Sequence, residues 1–309
     1  MSFDFDAAVG APFRMQPGLR RLAPGAAQLT PLSPGSRHQR EKLAVLSAFA
    51  EQALLVQDGF DAAPALAALC EQAAAEHPQA WAWDGRRGVA LALGTAVADG
   101  RVEQLAAGSF GLGDEVARCL GSLPAPWRLT GLLCLAFAED FAIVDASDAT
   151  IPWLAVCLPS HWAPEEKLGR SFAEVHAPVA DNALIVGAAE ALTRLVAGAQ
   201  RWERFVWNVS AHPRLHAHPM RVAPERWQGL DVGQAWWRTE RQTFIPVAGW
   251  RGAVFTIQVE VEPLAGAVTT PQRARQLHDA IASMSPAVLA YRGLSPVREP
   301  LLRWLAARR

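Results

Sequence analysis

With 309 residues, 51 % of them hydrophobic and 19 % charged, the chain has material for a sizeable core and is too apolar for wholesale disorder. Its 29 basic and 30 acidic residues leave a net charge of -1, without the basic excess expected of a nucleic-acid binder. The longest mostly apolar run, Leu129 to Ala138, stops at Glu139-Asp140, well short of the about 20 residues that span a bilayer. The acidic start Met1 to Asp6 carries no signal-peptide pattern, so a cytoplasmic protein with no membrane partner is expected.

Residues 11 to 36 are studded with Pro and Gly and predict an extended arm. Apolar residues at helical spacing predict a helix over Arg37 to Val56 and another over 62 to 76, ended by His77-Pro78. A short helix over Asp114 to Leu120 completes a region that reads as mainly helical. The texture changes after Pro124-Ala125-Pro126. Leu129 to Ala138, Phe141 to Asp145 and Trp153 to Leu158 predict buried strands, and Pro164 to Val175 and Asn182 to Val196 predict helices. Three strands follow, over Arg204 to Ser210, Ala235 to Val247 and Ala253 to Pro263, the last two joined by a turn at Ala248 to Gly252. Val254, Thr256, Gln258 and Glu260 alternate with Phe255, Ile257, Val259 and Val261, which predicts one solvated face and one buried face. Helices over Pro271 to Met284 and Val297 to Ala307 close the chain. The expected class is α+β, with an arm and helical region over 1–126 and a sheet domain with C-terminal helices over 127–309, packed as one unit.

Cys70, Cys119, Cys134 and Cys157 are widely spaced, which excludes a ferredoxin-type cluster and suits reduced core thiols. No Gly-rich dinucleotide fingerprint and no P-loop is present. A redox enzyme built on this chain would take its electrons from elsewhere, with no flavin, nicotinamide or iron–sulfur site of its own.

The informative stretch runs from Cys157-Leu158-Pro159-Ser160-His161-Trp162-Ala163-Pro164-Glu165-Glu166-Lys167-Leu168-Gly169 to Val175-His176-Ala177-Pro178-Val179. It resembles the signature of the haem-dependent oxidative N-demethylase family, in which a strand leads into Pro-Ser-x-Trp-x-Pro-x-x-Lys-x-Gly and then His-x-Pro-Val. Pro12-Phe13-Arg14 with Gly18-Leu19-Arg20 resembles the family's N-terminal arm. Val206-Trp207-Asn208-Val209 resembles its Asn-bearing strand, Arg238 to Thr243 its Arg-x-Glu-Arg-Gln-Thr strand, and Tyr291-Arg292-Gly293-Leu294 its C-terminal motif. The resemblance implies a PAS-like antiparallel sheet around haem b. It implies a catalytic subunit that takes a small methylated amine and O2 and releases formaldehyde, served by flavin and iron–sulfur reductase subunits. The alternative is a non-catalytic haem-binding or gas-sensing PAS-like protein, or a degenerate accessory subunit. The chain departs from the family pattern at Ala180, at Phe244-Ile245-Pro246 and in the position of Arg204, segments that would shape the distal pocket.

His176 is the residue the resemblance implies as haem ligand, its alternative being a helix-end histidine in a structural hydrogen bond. Lys167, one of only two lysines with Lys42, is a candidate for the haem carboxylates together with Arg238 and Arg241, because cations pair with carboxylates. Strand alternation puts Arg238, Glu240 and Gln242 on one face and Arg241 on the other. Glu240 is open to two roles, counter-ion of an alkylammonium or partner of an arginine across the sheet. Trp162, like Trp207, Trp236 and Trp237, could wall the pocket or simply fill core. His212, His216 and His218 have a spacing that could hold zinc, without a Cys or carboxylate in sequence beside them.

Overall fold

The computed structural model describes residues 3–177, 179–223 and 226–309, so Pro178 of the His-x-Pro-Val motif lies outside the described residues. In chain order the strands are β1 (Arg20–Arg21), β2 (Leu54–Val56), β3 (Trp81–Trp83), β4 (Arg87–Ala90), β5 (Thr95–Ala98) and β6 (Arg101–Gln104). They continue with β7 (Glu139–Asp145), β8 (Thr150–Ala155), β9 (Trp202–Ser210), β10 (Trp236–Pro246) and β11 (Gly252–Pro263). Two antiparallel sheets result: a seven-stranded one in the order β1-β9-β10-β11-β7-β8-β2 and a four-stranded meander β3-β4-β5-β6. The five central strands of the large sheet are thus two adjacent strands, a helical excursion, and three more strands that return beside the first of the pair, with β1 and β2 added at the edges.

The region before residue 126 is therefore not mainly helical. It holds the helices Arg37–Ala48 and Ala63–Glu76, but also the meander and the edge strand β2. The meander's strands are only three or four residues long, too short for alternation to announce them.

A second correction concerns Leu129 to Ala138, which is the helix Arg128–Ala136 rather than a strand. A short apolar run is compatible with either state, and burial on all sides decides: Thr130 through Ala136 are all buried. Gly131 lets the helix approach its neighbour, since a Cβ there would meet Leu120 Cδ2 at 2.7 Å and Leu123 Cδ1 at 2.8 Å. The segments at Pro164 to Val175 and Asn182 to Val196 are also broken up, into a 3-10 turn Pro164–Glu166 and helices Phe172–His176, Ala183–Gly187 and Ala189–Val196.

The expected solvated face of β11 is covered. Gln28, from the N-terminal arm, donates to Thr243 Oγ1 at 3.0 Å and to the Phe244 carbonyl at 2.8 Å, and Thr243 and Thr256 hydroxyls bond at 2.7 Å. Thr256 and Gln258 thus alternate along β11 facing other protein groups, while Glu260 at the end of that face reaches water. Beneath the same sheet, Lys42 and Asp140 form a fully buried ion pair at 3.1 Å. Lys42 also donates to the Phe137 and Glu139 carbonyls at 3.1 and 2.6 Å, and Asp140 accepts the Leu158 amide at 2.6 Å.

Two apolar cores flank this frame. One packs the helices Arg37–Ala48, Ala63–Glu76 and Arg128–Ala136 on the large sheet. The other packs the C-terminal helices Pro271–Ala282, Pro286–Tyr291 and Arg298–Ala306 on Trp207 and Trp237, whose rings stack at 5.1 Å. Among the described residues no helix is long and apolar enough to cross a membrane.

Candidate functional site

A cavity of about 460 Å³ opens on one face of the large sheet, within the range usual for small-molecule and cofactor sites. Its walls come from alternate residues of five neighbouring strands: Arg204, Val206 and Asn208 of β9; Arg238, Glu240, Gln242 and Phe244 of β10; Phe255 and Ile257 of β11; Ala142 and Val144 of β7; Leu154 of β8. The polar members cluster on β9 and β10, and the apolar ones on β11, β7 and β8. Facing the sheet are Trp162, Lys167, Phe172, Val175 and His176, with Leu192 and Val196 behind them.

His176 ends the one-turn helix Phe172–His176, and local chemistry fixes that turn. Ser171 and Glu174 form a capping box, the Ser171 hydroxyl accepting the Glu174 amide while the Glu174 carboxylate accepts the Ser171 amide at 2.8 Å. The turn is tied to β8 by a bridge between Thr150 and Ser171 and by the Gly169 amide donating to the Ile151 carbonyl at 2.9 Å. Gly169 makes this return with φ +68, a left-handed conformation open to glycine.

The imidazole of His176 bonds through Nδ1 to the Phe172 carbonyl at 2.8 Å, and the Phe172 ring lies against it at 4.1 Å. A carbonyl partner makes Nδ1 the donor and leaves Nε2 with its lone pair, the tautomer that binds a transition metal. Burial, with Arg204 and Lys167 nearby, pulls the ring's pKa down to about 4, against the opposing Phe172 bond. The ring is therefore neutral at pH 7, as a ligand must be. Orientation, tautomer and charge all suit a metal-binding imidazole on the cavity wall.

The structure brings Trp162, Lys167, His176, Arg238 and Glu240 to the same cavity. It leaves Arg241 out. Arg241 points to the opposite face of β10, where Nε donates to Glu203 Oε2 at 3.0 Å and Nη2 to the Ala27 carbonyl at 3.0 Å. Alternation along an unbulged strand sends neighbours to opposite faces, so Arg241 cannot meet a carboxylate in the cavity.

Arg238 reaches the cavity wall but is already occupied. Its guanidinium donates to Ser160 Oγ at 2.8 Å and to the carbonyls of Arg214, Pro159 and Leu215 at 2.8, 3.1 and 2.7 Å. Burial pulls its pKa down to about 10. It is a clamp joining the 158–160 segment to residues 214–215, and the sequence-based expectation that it pairs with haem carboxylates is corrected accordingly. Lys167 is the better placed cation. Its Nζ makes only a long 3.4 Å contact to the Val175 carbonyl, and it has no carboxylate partner among the described residues.

Glu240 presents a buried carboxylate to the cavity, where Oε2 accepts the Gln242 amide at 2.6 Å. Trp162 packs against the cluster of Ala142, Ile151, Leu154 and Val156, so wall and core filler are here the same residue.

The cavity also gathers residues that had been given no site role from the sequence. Arg204, Asn208, Arg226, Tyr291 and Arg292 line the cavity with His161. The register that pairs Arg238 with Asn208 and Gln242 with Arg204 was available in principle once β9 and β10 were taken as neighbours. Tyr291 and Arg292 come from the C-terminal motif at a helix end, whereas Arg226 comes from an irregular segment with no such signal. Gly293 leaves room for Arg226, whose Nη2 would lie 2.2 Å from a Cβ placed there. His161 adopts a left-handed φ of 64°, and burial beside Arg238 and Arg226 holds it neutral, with a pKa down to about 3.

The three histidines after β9 do not converge. His216 Nδ1 bonds to the Cys157 carbonyl at 2.7 Å, His218 Nε2 meets Glu165 at 3.1 Å, and His212 lies against His161 with ring centroids 5.4 Å apart. Among the described residues no group of three His, Cys, Asp or Glu is placed to hold a metal ion.

Residues 122–302, more than half of the chain, match the family model described as haem-dependent oxidative N-demethylase, alpha subunit-like. No curated protein matches the chain.

Proposed function

Because the chain belongs to the haem-dependent oxidative N-demethylase, alpha subunit-like family, we propose that it holds haem b on His176 and serves oxidative removal of a methyl group from a small amine in the 460 Å³ cavity. The observation that carries this reading is the His176 imidazole, held at Nδ1 by Phe172 with Nε2 unengaged on a cavity wall. The sheet order β8-β7-β11-β10-β9, with its helical excursion between β8 and β9, supports a PAS-like architecture.

When bound, haem supplies reductive activation of O2, so that with two electrons and two protons one oxygen atom enters a methyl C–H bond and the other leaves as water. The N-hydroxymethyl product then splits into formaldehyde and the smaller amine, the hydroxyl proton passing to nitrogen. The chain's own residues bind and orient. His176 would hold the haem iron through Nε2, with its tautomer set by Phe172. Lys167 and Arg226, both on the cavity wall, would meet the haem carboxylates. Phe244, Phe255 and Ile257 keep water from one side of the cavity, and Glu240 offers the charge an alkylammonium needs on leaving water. Separate flavin and iron–sulfur subunits in the cytoplasm supply the electrons.

The test is spectroscopic. The full chain reconstituted with haem shows a Soret band, and His176→Ala abolishes it or changes the ligation and spin state. An unchanged spectrum overturns the ligand assignment and points to His161. With haem reduced by an added reductase and O2 present, formaldehyde appears from a small methylated amine. Its absence across a panel of such amines favours a sensor or accessory role.

A further inference from the structure

The two faces of the β9–β10 ladder offer an internal comparison. On the outer face Glu203 of β9 and Arg241 of β10 are diagonal neighbours, since Glu203 stands opposite Thr243, and they pair at 3.0 Å. On the cavity face Arg204 and Glu240 occupy the same diagonal one residue along, since Arg204 stands opposite Gln242. The charges are again opposite in sign, on the neighbouring rung of the ladder, yet these two form no ion pair. Gln242 donates to Glu240 instead, and Arg204 Nε is shielded from solvent with no acceptor. Nor does any other N–H of Arg204 find an acceptor among the described residues.

Burial lowers the pKa of half-buried Arg204 against the pull of Glu240, and a guanidinium N–H shielded from water without an acceptor is costly. The cavity wall therefore presents a free guanidinium and a carboxylate with one oxygen uncommitted, on a diagonal of about 7 to 8 Å between the backbone positions. A molecule carrying an ammonium and a carboxylate on a short skeleton satisfies both.

We infer that the cavity takes a zwitterionic amine, a small N-methylated amino acid, with its ammonium at Glu240 and its carboxylate at Arg204. This rests on the reading of the cavity as an amine site and narrows its substrate class. The haem's own carboxylates are the other source of the same chemistry, and the experiment separates them.

Calorimetry on the full chain as purified compares N-methylglycine, dimethylamine and acetate. N-methylglycine binds at least tenfold more tightly than dimethylamine. Arg204→Met removes that preference while dimethylamine affinity stays within about twofold, and Glu240→Gln weakens both amines. Haem titration of Arg204→Met, followed at the Soret band, gives wild-type affinity. Equal wild-type affinity for the two amines overturns the proposal. So does an Arg204→Met chain that loses haem affinity but keeps the preference, which reassigns Arg204 to the haem. Should Arg204→Met fail to fold, Arg204→Gln, which also removes the charge, and the wild-type comparison decide in the same way. Formaldehyde from dimethylamine without any amino-acid preference sinks this inference and spares the general function. A binding preference without turnover does the reverse.

Discussion

A single hydrogen bond decides what His176 can be. If the Phe172 carbonyl held Nε2 rather than Nδ1, the ring would offer the cavity its less accessible nitrogen. Glu240 is the second residue whose role turns on one contact, since Gln242 donates to it without neutralising it. Removing that charge, Glu240→Gln, is expected to raise KM for an amine by the equivalent of about 1.5 to 3 kcal/mol, the usual worth of a hydrogen bond to a charged group, with kcat changed far less. Steady-state kinetics of formaldehyde release checks this, and an unchanged KM removes Glu240 from the site. Both residues were legible in the sequence, one through its motif and the other through alternation. Arg238 and Arg241 were legible as arginines but not as partners, because what satisfies them lies in segments distant along the chain, Arg214 to Leu215 and Ala27.

At the scale of elements, a helix of five residues cannot stand by its own propensity, so its cap sets how firmly His176 is held. Ser171→Ala is expected to cost about 1 kcal/mol of local stability and to weaken haem binding several-fold with an unaltered ligation spectrum. Ser171→Thr keeps most of the affinity, which titration at the Soret band measures. The helix Arg37–Ala48 is anchored differently, by Lys42 to Asp140 and thence to the Leu158 amide, two residues before the Ser160 that Arg238 grips. Lys42→Met leaves Asp140 charged and buried, and is expected to cost about 3 to 5 kcal/mol in denaturant unfolding. Adding Asp140→Asn recovers much of that loss. The three long strands and the Ala248 to Gly252 turn were readable from pattern, since each strand is long enough to show it. The meander was not read, although Asp99-Gly100, both at positive φ between β5 and β6, is a strong hairpin signal. It sits in Ala-rich sequence where neither flanking strand exceeds four residues.

Across the whole molecule, buried titratable groups set opposing responses to pH. His176 and His212 are held down to about 4 and His161 to about 3, chiefly by burial. Each is neutral in the fold and binds a proton sooner when unfolded, so its contribution is complete above about pH 6.5 and is lost as pH falls toward 4. Glu139 runs the other way. Burial raises it to about 7, so the fold holds its proton longer and stability from this group declines as pH rises from 4.5 to 7. Glu139→Gln is expected to flatten that decline, so its thermal midpoint gains on the wild type as pH rises through this window. A constant difference between the two proteins across the window refutes the assignment. The ends of the large sheet carry a different consequence. The sheet terminates in strands of two and three residues, and an open edge is a template on which another extended chain can grow. Beside β9, exposed Arg20 and Arg21 occupy the short strand and Arg292 donates to the Trp207 carbonyl. These contacts cover the Trp202–Glu203 end of β9 and one carbonyl further along, and a chain shortened past Arg21 would uncover that end as a template for a second copy.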